Sequence, residues 1–498
     1  MEYSENEIKR AILKPKSYIW TCPLKNKYEL SIPNTVYPPR EDTNLLAETL
    51  MNFGKMNGEK LLEIGCGSGV ISIFAKTCGW DVLGCDINPL AIATSRGISD
   101  KYNINNIEFI EGGIEPSFEQ AYNLFEKGPF DLIVWNLPYL EKPKENELLG
   151  PLEDASLADI SEGENGKLHE LLIKKIEKEK CLKKEGKIIL IHNDQGPGRK
   201  LTSDCRKLGW ASRTINNKIL QDGEKLIATC IWKPWELSEK IKLDEIDSTN
   251  SYSLNKKLPN GTLVIAKKQT KGRGQRENEW IHHSGGWCGT WTIPLGDLSP
   301  SIIQAKAGLA VLDSIAAINS LELPTFDSIS MAKFSMKDIF LKWPNDILYK
   351  HKKLAGILSE AKTQGNDTIC VVGIGFNLNG KQTNFEQIIP NATTLEKITN
   401  NYFEYEDWEK ILHASIASKF ERKTGIKMIE KSKTLVDWWL SMEQFNKNNI
   451  AIINSEEYNV CSIKEDGSLG LISNERKVNS EIKCDENFDI LWESNSFN

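Results

Sequence analysis

The sequence predicts an α/β protein of about three domains: a doubly wound nucleotide-binding half, a second mixed unit and a small C-terminal β-barrel. Three observations carry that expectation. An apolar run at 60–64 enters three alternating glycines and then a helical pattern, the strand, glycine turn and helix of a nucleotide-binding α/β fold. Between 339 and 377, three short apolar runs have polar residues at their ends, within reach of one basic glycine-rich loop. Beyond about 449, strand-length runs alternate with turn signals such as Asp466-Gly467-Ser468.

With 498 residues, 40% hydrophobic and 26% charged, the chain has the composition of an ordinary soluble globular protein. Its net charge of −7 leaves no basic footprint for nucleic acid or an anionic membrane beyond local patches, and no DNA-binding domain is evident. Eleven cysteines without a Cys-x-x-Cys pair make neither a disulfide framework nor a zinc signature, which points to a reducing cytoplasm. The N-terminal MEYSENEIKR lacks the apolar core of a signal peptide, and no run approaches the roughly 18 apolar residues of a membrane span. A cytoplasmic protein with no membrane partner is expected.

The first expected helix covers 44–53, with Leu45, Leu46, Thr49 and Leu50 at helical spacing. Two prolines in Tyr37-Pro38-Pro39-Arg40-Glu41-Asp42-Thr43 exclude helix before it, leaving Asp42 or Thr43 as its cap. The strand Lys60-Leu61-Leu62-Glu63-Ile64 then runs into Gly65, Gly67 and Gly69, where a ligand can approach the backbone closely. A second strand, 81–85, ends in Asp86, an acid placed to take both hydroxyls of a ribose. A third, 131–135, ends in Asn136-Leu137-Pro138-Tyr139. There the Asn136 oxygen and nearby carbonyls can accept hydrogen bonds from a planar NH2 group while Tyr139 packs on its plane. Such a site suits N-methylation. The lysines and glutamates of 174–185 read as the solvated face of a helix and its end, and Gly186 as the break that opens a strand over 187–191.

Residues 1–233 resemble class I S-adenosylmethionine-dependent methyltransferases, with a Rossmann-like domain, and more narrowly the release-factor glutamine methyltransferase type. The narrower resemblance rests on YPPREDT, on Asn136-Leu137-Pro138-Tyr139 and on Glu162-Gly163-Glu164-Asn165-Gly166 ahead of a helix. It implies that Glu63, Gly65, Gly67, Gly69, Asp86 and Asn136 bind S-adenosylmethionine, that Asn136 also holds the acceptor nitrogen, and that a translation release factor is the partner. An amide nitrogen is a poor nucleophile, so catalysis would rest on orientation. The family's usual second motif is Asn-Pro-Pro-Tyr; Leu137 departs from it, and Asn-Leu-Pro-Tyr also occurs in RNA adenine dimethylases. An adenine acceptor in RNA or DNA, and a domain that folds without methylating, are the alternatives.

A boundary is expected near Pro234, giving domains 1–233, 238–445 and 446–498. Ser248-Thr249-Asn250 opens a short helix, which it suits as a cap. A strand over 261–266 leads to Gln269 and the loop QTKGRGQRENEW at 269–280. In that loop Gly272 and Gly274 free the backbone amides, and Arg273 and Arg276 add fixed positive charge, so it reads as an anion cradle. Lys342-Trp343-Pro344-Asn345-Asp346 follows the strand 339–341, Lys353 precedes the strand 354–358, and the strand 370–376 ends in Asn377. His282 and His283 invite a metal reading that no neighbouring Cys, Asp or Glu cluster supports. Trp287, Trp291 and Ile293 are expected in a core strand, 302–319 in an amphipathic helix with Ala305, Leu309, Leu312 and Ile315 on one side, and 404–421 in a charged helix.

These separated blocks, in this order, resemble the catalytic domain of biotin protein ligases over 241–498, an α+β domain followed by a small SH3-like β-barrel. The resemblance implies that biotin carboxylate attacks the α-phosphorus of ATP to give biotinyl-5′-AMP, and that a lysine of a biotin carboxyl carrier protein attacks the mixed anhydride. Bringing two anions together needs positive charge, which Arg273, Arg276, Lys353 and a Mg2+ ion on Asp346 would supply. By the same resemblance Ser248, Thr249, Asn250, Gln269 and the Gly356 backbone face biotin, Trp280 covers adenine and Asn377 bonds its edge, and Gly272, Gly274, Gln275, Trp343 and Asn345 complete the site. The loop departs from the common Gly-Arg-Gly-Arg-Arg-Gly at Gln275, which loses a charge, and at Glu277, which replaces a glycine, so altered phosphate affinity is expected. A lipoate ligase and a biotin sensor regulating transcription are the alternatives. Regulatory ligases carry an N-terminal helix-turn-helix where this chain has its methyltransferase-like half. The two halves are expected to work independently, because their cofactors and products differ.

Overall fold

The structure is a computed structural model describing residues 8–114, 124–138, 167–276, 278–296, 298–319, 338–365, 367–380, 385–474, 481–484 and 490–494. It divides into two units, Met1–Glu236 with Arg422–Lys427 and Leu237–Glu421 with Met428–Asn498.

In the first unit an antiparallel hairpin, β1 (Lys16–Thr21) and β2 (Lys27–Ile32), precedes the main sheet. Strands β3 (Lys60–Ile64), β4 (Asp81–Asp86), β5 (Ile107–Glu111), β6 (Phe130–Asn136), β7 (Leu182–Asn193), β8 (Ala211–Ile219) and β9 (Lys225–Trp232) form one sheet in the order β5-β4-β3-β6-β7-β9-β8. The first five are parallel, whereas β9 runs antiparallel to both β7 and β8. Parallel strands covered on both faces need apolar side chains throughout, as at Leu61, Leu62, Ile133, Val134, Ile188 and Ile189, all buried. The chain leaves β3 toward β4 and β5 on one side and returns to β6 on the other. At such a reversal a crevice opens beyond the C-terminal ends of the strands.

Two local expectations shift. The first helix runs Glu41–Leu50 and continues into a single 3-10 turn, Met51–Phe53. Its cap is Arg40, whose N–H donates to Thr43 Oγ1 at 3.2 Å, so Asp42 and Thr43 sit inside the first turn. Gly186 does not open its strand. The helix Leu168–Glu179 ends at Lys180 in the left-handed region, and β7 begins at Leu182 because Cys181 already turns into the core.

The second unit is built on β10 (Lys240–Ile246), β11 (Leu263–Gln269), a minimal hairpin of β12 (Gly272–Arg273) with β13 (Glu279–Trp280), then β14 (Gly286–Ile293), β15 (Ile339–Lys342), β16 (Asp346–Tyr349), β17 (Lys352–Gln364) and β18 (Asp367–Asn377). The hairpin aside, they form a sheet in the order β10-β11-β14-β18-β17-β16-β15, parallel only at β10 and β11. Trp287, Trp291 and Ile293 are buried on β14, as expected.

Helix Pro300–Ile318 packs on β17 and on the helices Tyr405–Phe420 and Lys431–Asn448. It is buried on all sides from Ile302 to Ala317 rather than amphipathic. The polar positions that suggested a solvent face have partners inside the unit: Lys306 Nζ donates to the Ile429 carbonyl at 3.3 Å, and Asp313 pairs with Lys419 at 3.0 Å. Among the described residues this is the one helix long and apolar enough to cross a membrane, and most of it is buried within the protein.

The last strands, β19 (Asn449–Ile453), β20 (Glu456–Ile463), β21 (Leu469–Ser473), β22 (Glu481–Cys484) and β23 (Leu491–Ser494), make an antiparallel sheet in the order β22-β21-β20-β19-β23. Among the described residues β22 and β23 do not pair, so the sheet is open where a closed barrel was expected.

Two candidate active sites

In the first unit the crevice at the ends of β3, β4 and β6 is a pocket onto which Glu63, Gly65, Gly67, Asp86 and Asn136 all open. Tyr37, Pro38 and Pro39 form part of its wall. That proline segment is tied at both ends, by Asn88 Nδ2 donating to the Thr35 carbonyl at 2.8 Å and by the Tyr37 hydroxyl donating to Asp42 Oδ2 at 2.7 Å. The sequence reading missed Thr35 and Asn88. Asp86 accepts the Gly67 N–H on Oδ2 at 2.8 Å and the Asn88 N–H on Oδ1 at 2.9 Å. Burial pushes its carboxyl up against the pull of those amides. Each oxygen keeps a further lone pair for a ligand hydroxyl.

Glu63 accepts the Ser72 hydroxyl, and burial raises its carboxyl to about 8, so it is largely protonated at neutral pH. Asn136 Oδ1 is buried with no hydrogen-bond partner among the described residues. Gly69 does not line the pocket. A Cβ there would lie 2.7 Å from Ser95 Cβ, so this glycine lets the turn pack on helix Pro89–Lys101. Leu137 is buried in the core while its N–H donates to the Ile191 carbonyl at 3.0 Å, a bond that the proline of the usual motif could not make. Tyr139 and 162–166 lie outside the described residues.

The second unit brings Ser248, Thr249, Asn250, Gln269, Arg273, Gly274, Gln275, Arg276, Trp280, Trp343, Asn345, Asp346, Lys353 and Gly356 around one pocket. Gly272 and Asn377 fall outside it. Gly272 pairs with Trp280 in the small hairpin, and a Cβ on it would meet the Trp280 carbonyl at 2.5 Å. Asn377 opens on a neighbouring cavity that shares Trp280, Asp346 and Lys353, and its Nδ2 donates to the Lys353 carbonyl at 3.2 Å.

The electrostatics of the second pocket centre on Asp346 among cations, with Glu279 a second carboxylate on the wall. Lys353 Nζ lies 2.7 Å from Asp346 Oδ1 and 5.7 Å from the centre of the Trp280 ring. Burial pulls the Lys342 ammonium down, opposed by Asp346 and reinforced by Lys353. Gln275 Nε2 donates to Gln304 Oε1 at 3.2 Å, and Glu277 lies outside the described residues. Asn345 is bound to β17, donating Nδ2 to the Ile357 carbonyl at 2.9 Å. Trp343 donates Nε1 to the Gly467 carbonyl at 3.0 Å, which joins its turn to the C-terminal sheet. His283 is buried, its imidazole pushed down to about 4 by burial, and its Nδ1 accepts the Gly285 N–H at 3.1 Å.

Sequence reasoning missed several residues here. Lys342 has no role of its own in its sequence block yet lines the pocket, and Ile490 and Trp492 line it from the far end of the chain. Two strand glycines matter for space: a Cβ at Gly375 would lie 2.2 Å from the Trp280 indole, and one at Gly373 2.1 Å from Asn250 Oδ1. The signal was present in Val372-Gly373-Ile374-Gly375, two glycines on one face of a strand that otherwise reads as core.

A doubly wound unit with a glycine turn and an acid closing its second strand defines a nucleotide-binding α/β domain, and a cationic pocket on a mixed sheet defines a domain that handles anions. Comparison with known proteins gives these classes their families. Residues 55–245 match a methyltransferase domain, and residues 243–377 match the biotin/lipoate A/B protein ligase family. The bifunctional ligase/repressor BirA of Bacillus spizizenii is 32% identical over 211 residues, 38% of this chain and 58% of that protein. The biotin--[acetyl-CoA-carboxylase] ligase of Paracoccus denitrificans is 32% identical over 28% of this chain and 54% of its own length. The release factor glutamine methyltransferase of Aliivibrio fischeri is 32% identical over 24% of this chain and 39% of its own length. The chain thus spans between 39% and 58% of these relatives. A solved biotin protein ligase from Aquifex aeolicus in complex with biotin and ATP is 22% identical over 51% of this chain and 98% of that one, with a TM-score of 0.39. The chain therefore carries a methyltransferase domain followed by a domain of the biotin/lipoate protein ligase family, and both are families of enzymes.

Proposed function

We propose that the chain is a bifunctional cytoplasmic enzyme with a methyltransferase domain over 1–233, a ligase catalytic domain over 238–445 and a barrel-forming SH3-like domain over 446–498. The second half joins biotin to a lysine of a biotin carboxyl carrier protein through biotinyl-5′-AMP. The observation that carries this reading is the set of cations facing the second pocket, Lys342, Lys353, Arg273 and Arg276. Two anions that must meet repel each other, and fixed positive charge in a partly dry site offsets that repulsion as charge develops. Lys353 would hold the biotin carboxylate against the α-phosphate, and the arginines would hold the remaining phosphates. Asp346, a half-buried carboxylate among lysines, fits a Mg2+ ion that arrives with phosphates, since such ions need only one or two protein carboxylates. Bound there, the ion would neutralise phosphate charge.

The first half transfers a methyl group from S-adenosylmethionine to a nitrogen, with the glutamine side chain of a translation release factor as the acceptor. The supporting observation is the unpaired, buried Asn136 Oδ1 at the pocket. A buried acceptor without a donor is costly, and an NH2 group in the pocket would satisfy it. Asn136 would then orient the acceptor nitrogen toward the methyl donor held by Asp86 and the glycine turn.

The test for the ligase half is transfer of labelled biotin from ATP and biotin to a carrier domain, where Lys353→Ala is expected to lower transfer by ~100-fold or more. A wild type that binds biotin but transfers none would favour the sensor. For the first half, labelled methyl is expected in release factor, and Asn136→Ala should cut it by ~100-fold while S-adenosylmethionine binding persists. Label in nucleic acid instead would establish the adenine reading.

A further inference from the structure

Glu360 belongs to none of the motifs that single out the ligase pocket, yet residues from two of those motifs, Arg273 and Asn250, meet on its carboxylate. It stands on β17 with its side chain one-quarter exposed. Asn250 Nδ2 donates to Glu360 Oε2 at 2.7 Å, and Arg273 Nη2 lies 2.8 Å from both carboxylate oxygens. Asn250 is buried and held from its other side by Thr290, whose Oγ1 lies 2.6 Å from Asn250 Oδ1 and 2.7 Å from Thr249 Oγ1. Thr249 in turn donates its N–H to Gln269 Oε1 at 2.8 Å. One polar chain therefore runs from the loop arginine through Glu360 to Asn250, Thr249 and Gln269.

Arg273 sits on β12, a strand of two residues, with its side chain 45% exposed. So short an element leaves a long guanidinium free to swing, and orienting it takes a partner outside the loop. A carboxylate suits that place because it only accepts, so two oxygens can take an amide and a guanidinium at once. A glutamine there would turn an NH2 group toward one of the two donors.

We propose that Glu360 is a positioning residue of the ligase pocket. It orients Arg273 by binding it to the same carboxylate that fixes Asn250, so the phosphate-facing loop and the Ser248-Thr249-Asn250 segment take their places together. The proposal rests on the ligase reading for its kinetic consequence but not for its structural one.

Two measurements on the full chain test it. The first is trypsin cleavage in the ligand-free protein, followed at Arg273 and Arg276. Glu360→Gln is expected to speed cleavage there by about tenfold, a hydrogen bond to a charged group being lost, with an unchanged thermal midpoint. The second is pyrophosphate release from ATP and biotin. Glu360→Gln should raise the KM for both substrates by about tenfold with kcat changed less, and in an Arg273→Ala background it should add nothing further. Wild-type cleavage and KM in Glu360→Gln, or full additivity with Arg273→Ala, would overturn the positioning role. Faster cleavage in the variant with no pyrophosphate release from the wild type would instead uphold the positioning of the loop and overturn the ligase reading alone.

Discussion

Gly65, Gly67 and Gly69 in the glycine turn of the first unit all have positive φ, 65°, 51° and 77°, and they turn the chain sharply where β3 ends. Gly373 and Gly375 beside the ligase pocket lie within β18 in ordinary strand conformation, where they leave room for Asn250 and the Trp280 indole. The first set is needed for backbone conformation and the second for space. The charges differ in the same spirit. Buried acids face the first pocket, Glu63 largely protonated and Asp86 with oxygens that accept hydrogen bonds, which suits ligand hydroxyls, whereas lysines and arginines face the second, which suits phosphate and carboxylate. The first pocket thus offers hydrogen-bond acceptors and the second positive charge.

The widest separation between the pockets should come from metal removal. Chelation with EDTA is expected to lower biotinyl transfer by ~100-fold or more, because phosphate charge would go unneutralised at Asp346, and to leave methyl transfer unchanged. Equal sensitivity of the two activities would break the contrast. Next in size is Gly375→Ala. Its methyl would lie 2.2 Å from the Trp280 ring, so the indole must shift, and biotinyl transfer should fall by ~10-fold through misplacement of the site. Normal transfer by that variant would show that the strand gives way instead.

A further contrast concerns pH and is read in stability rather than in turnover. Burial places the Glu63 carboxyl at about 8 against the usual 4.5. A carboxyl raised on folding contributes stability that is whole below the unfolded value and is lost as pH rises through the folded one. The first unit should therefore lose stability between about 4.5 and about 8, and Glu63→Gln should flatten that slope in thermal unfolding followed across the range. Parallel slopes for the two proteins would count against the buried acid.

What the sequence makes legible follows the same division. The turn at Gly65 and the acid at Asp86 are local patterns, separated by one helix and one strand, so their meeting at one pocket follows from spacing. The basic loop and the block ending in Asp346 are likewise contiguous, and the structure gathers them at one pocket. Residues whose meaning lies in a distant neighbour were not legible. Gly373 is explained by Asn250, Gly375 by Trp280, and Glu360 by Arg273, each pair separated by scores of residues. Helix Pro300–Ile318 misled for a related reason, since Lys306 and Asp313 look solvent-facing until their partners on other elements are known. Leu137 broke a motif on paper but costs nothing in the fold, because its side chain fills the core and its N–H finds Ile191.

The Trp343 indole, bonded to the Gly467 carbonyl, has a consequence for how lesions in this chain would be scored. Together with Ile490 and Trp492 at the pocket wall, it makes the C-terminal sheet a support for the turn that presents Asp346. In genetic terms, on the proposed function, a premature stop just after residue 448 would spare the motif blocks of both pockets and still count as loss of biotinylation, while the methyl-transfer phenotype of the same allele stayed wild type.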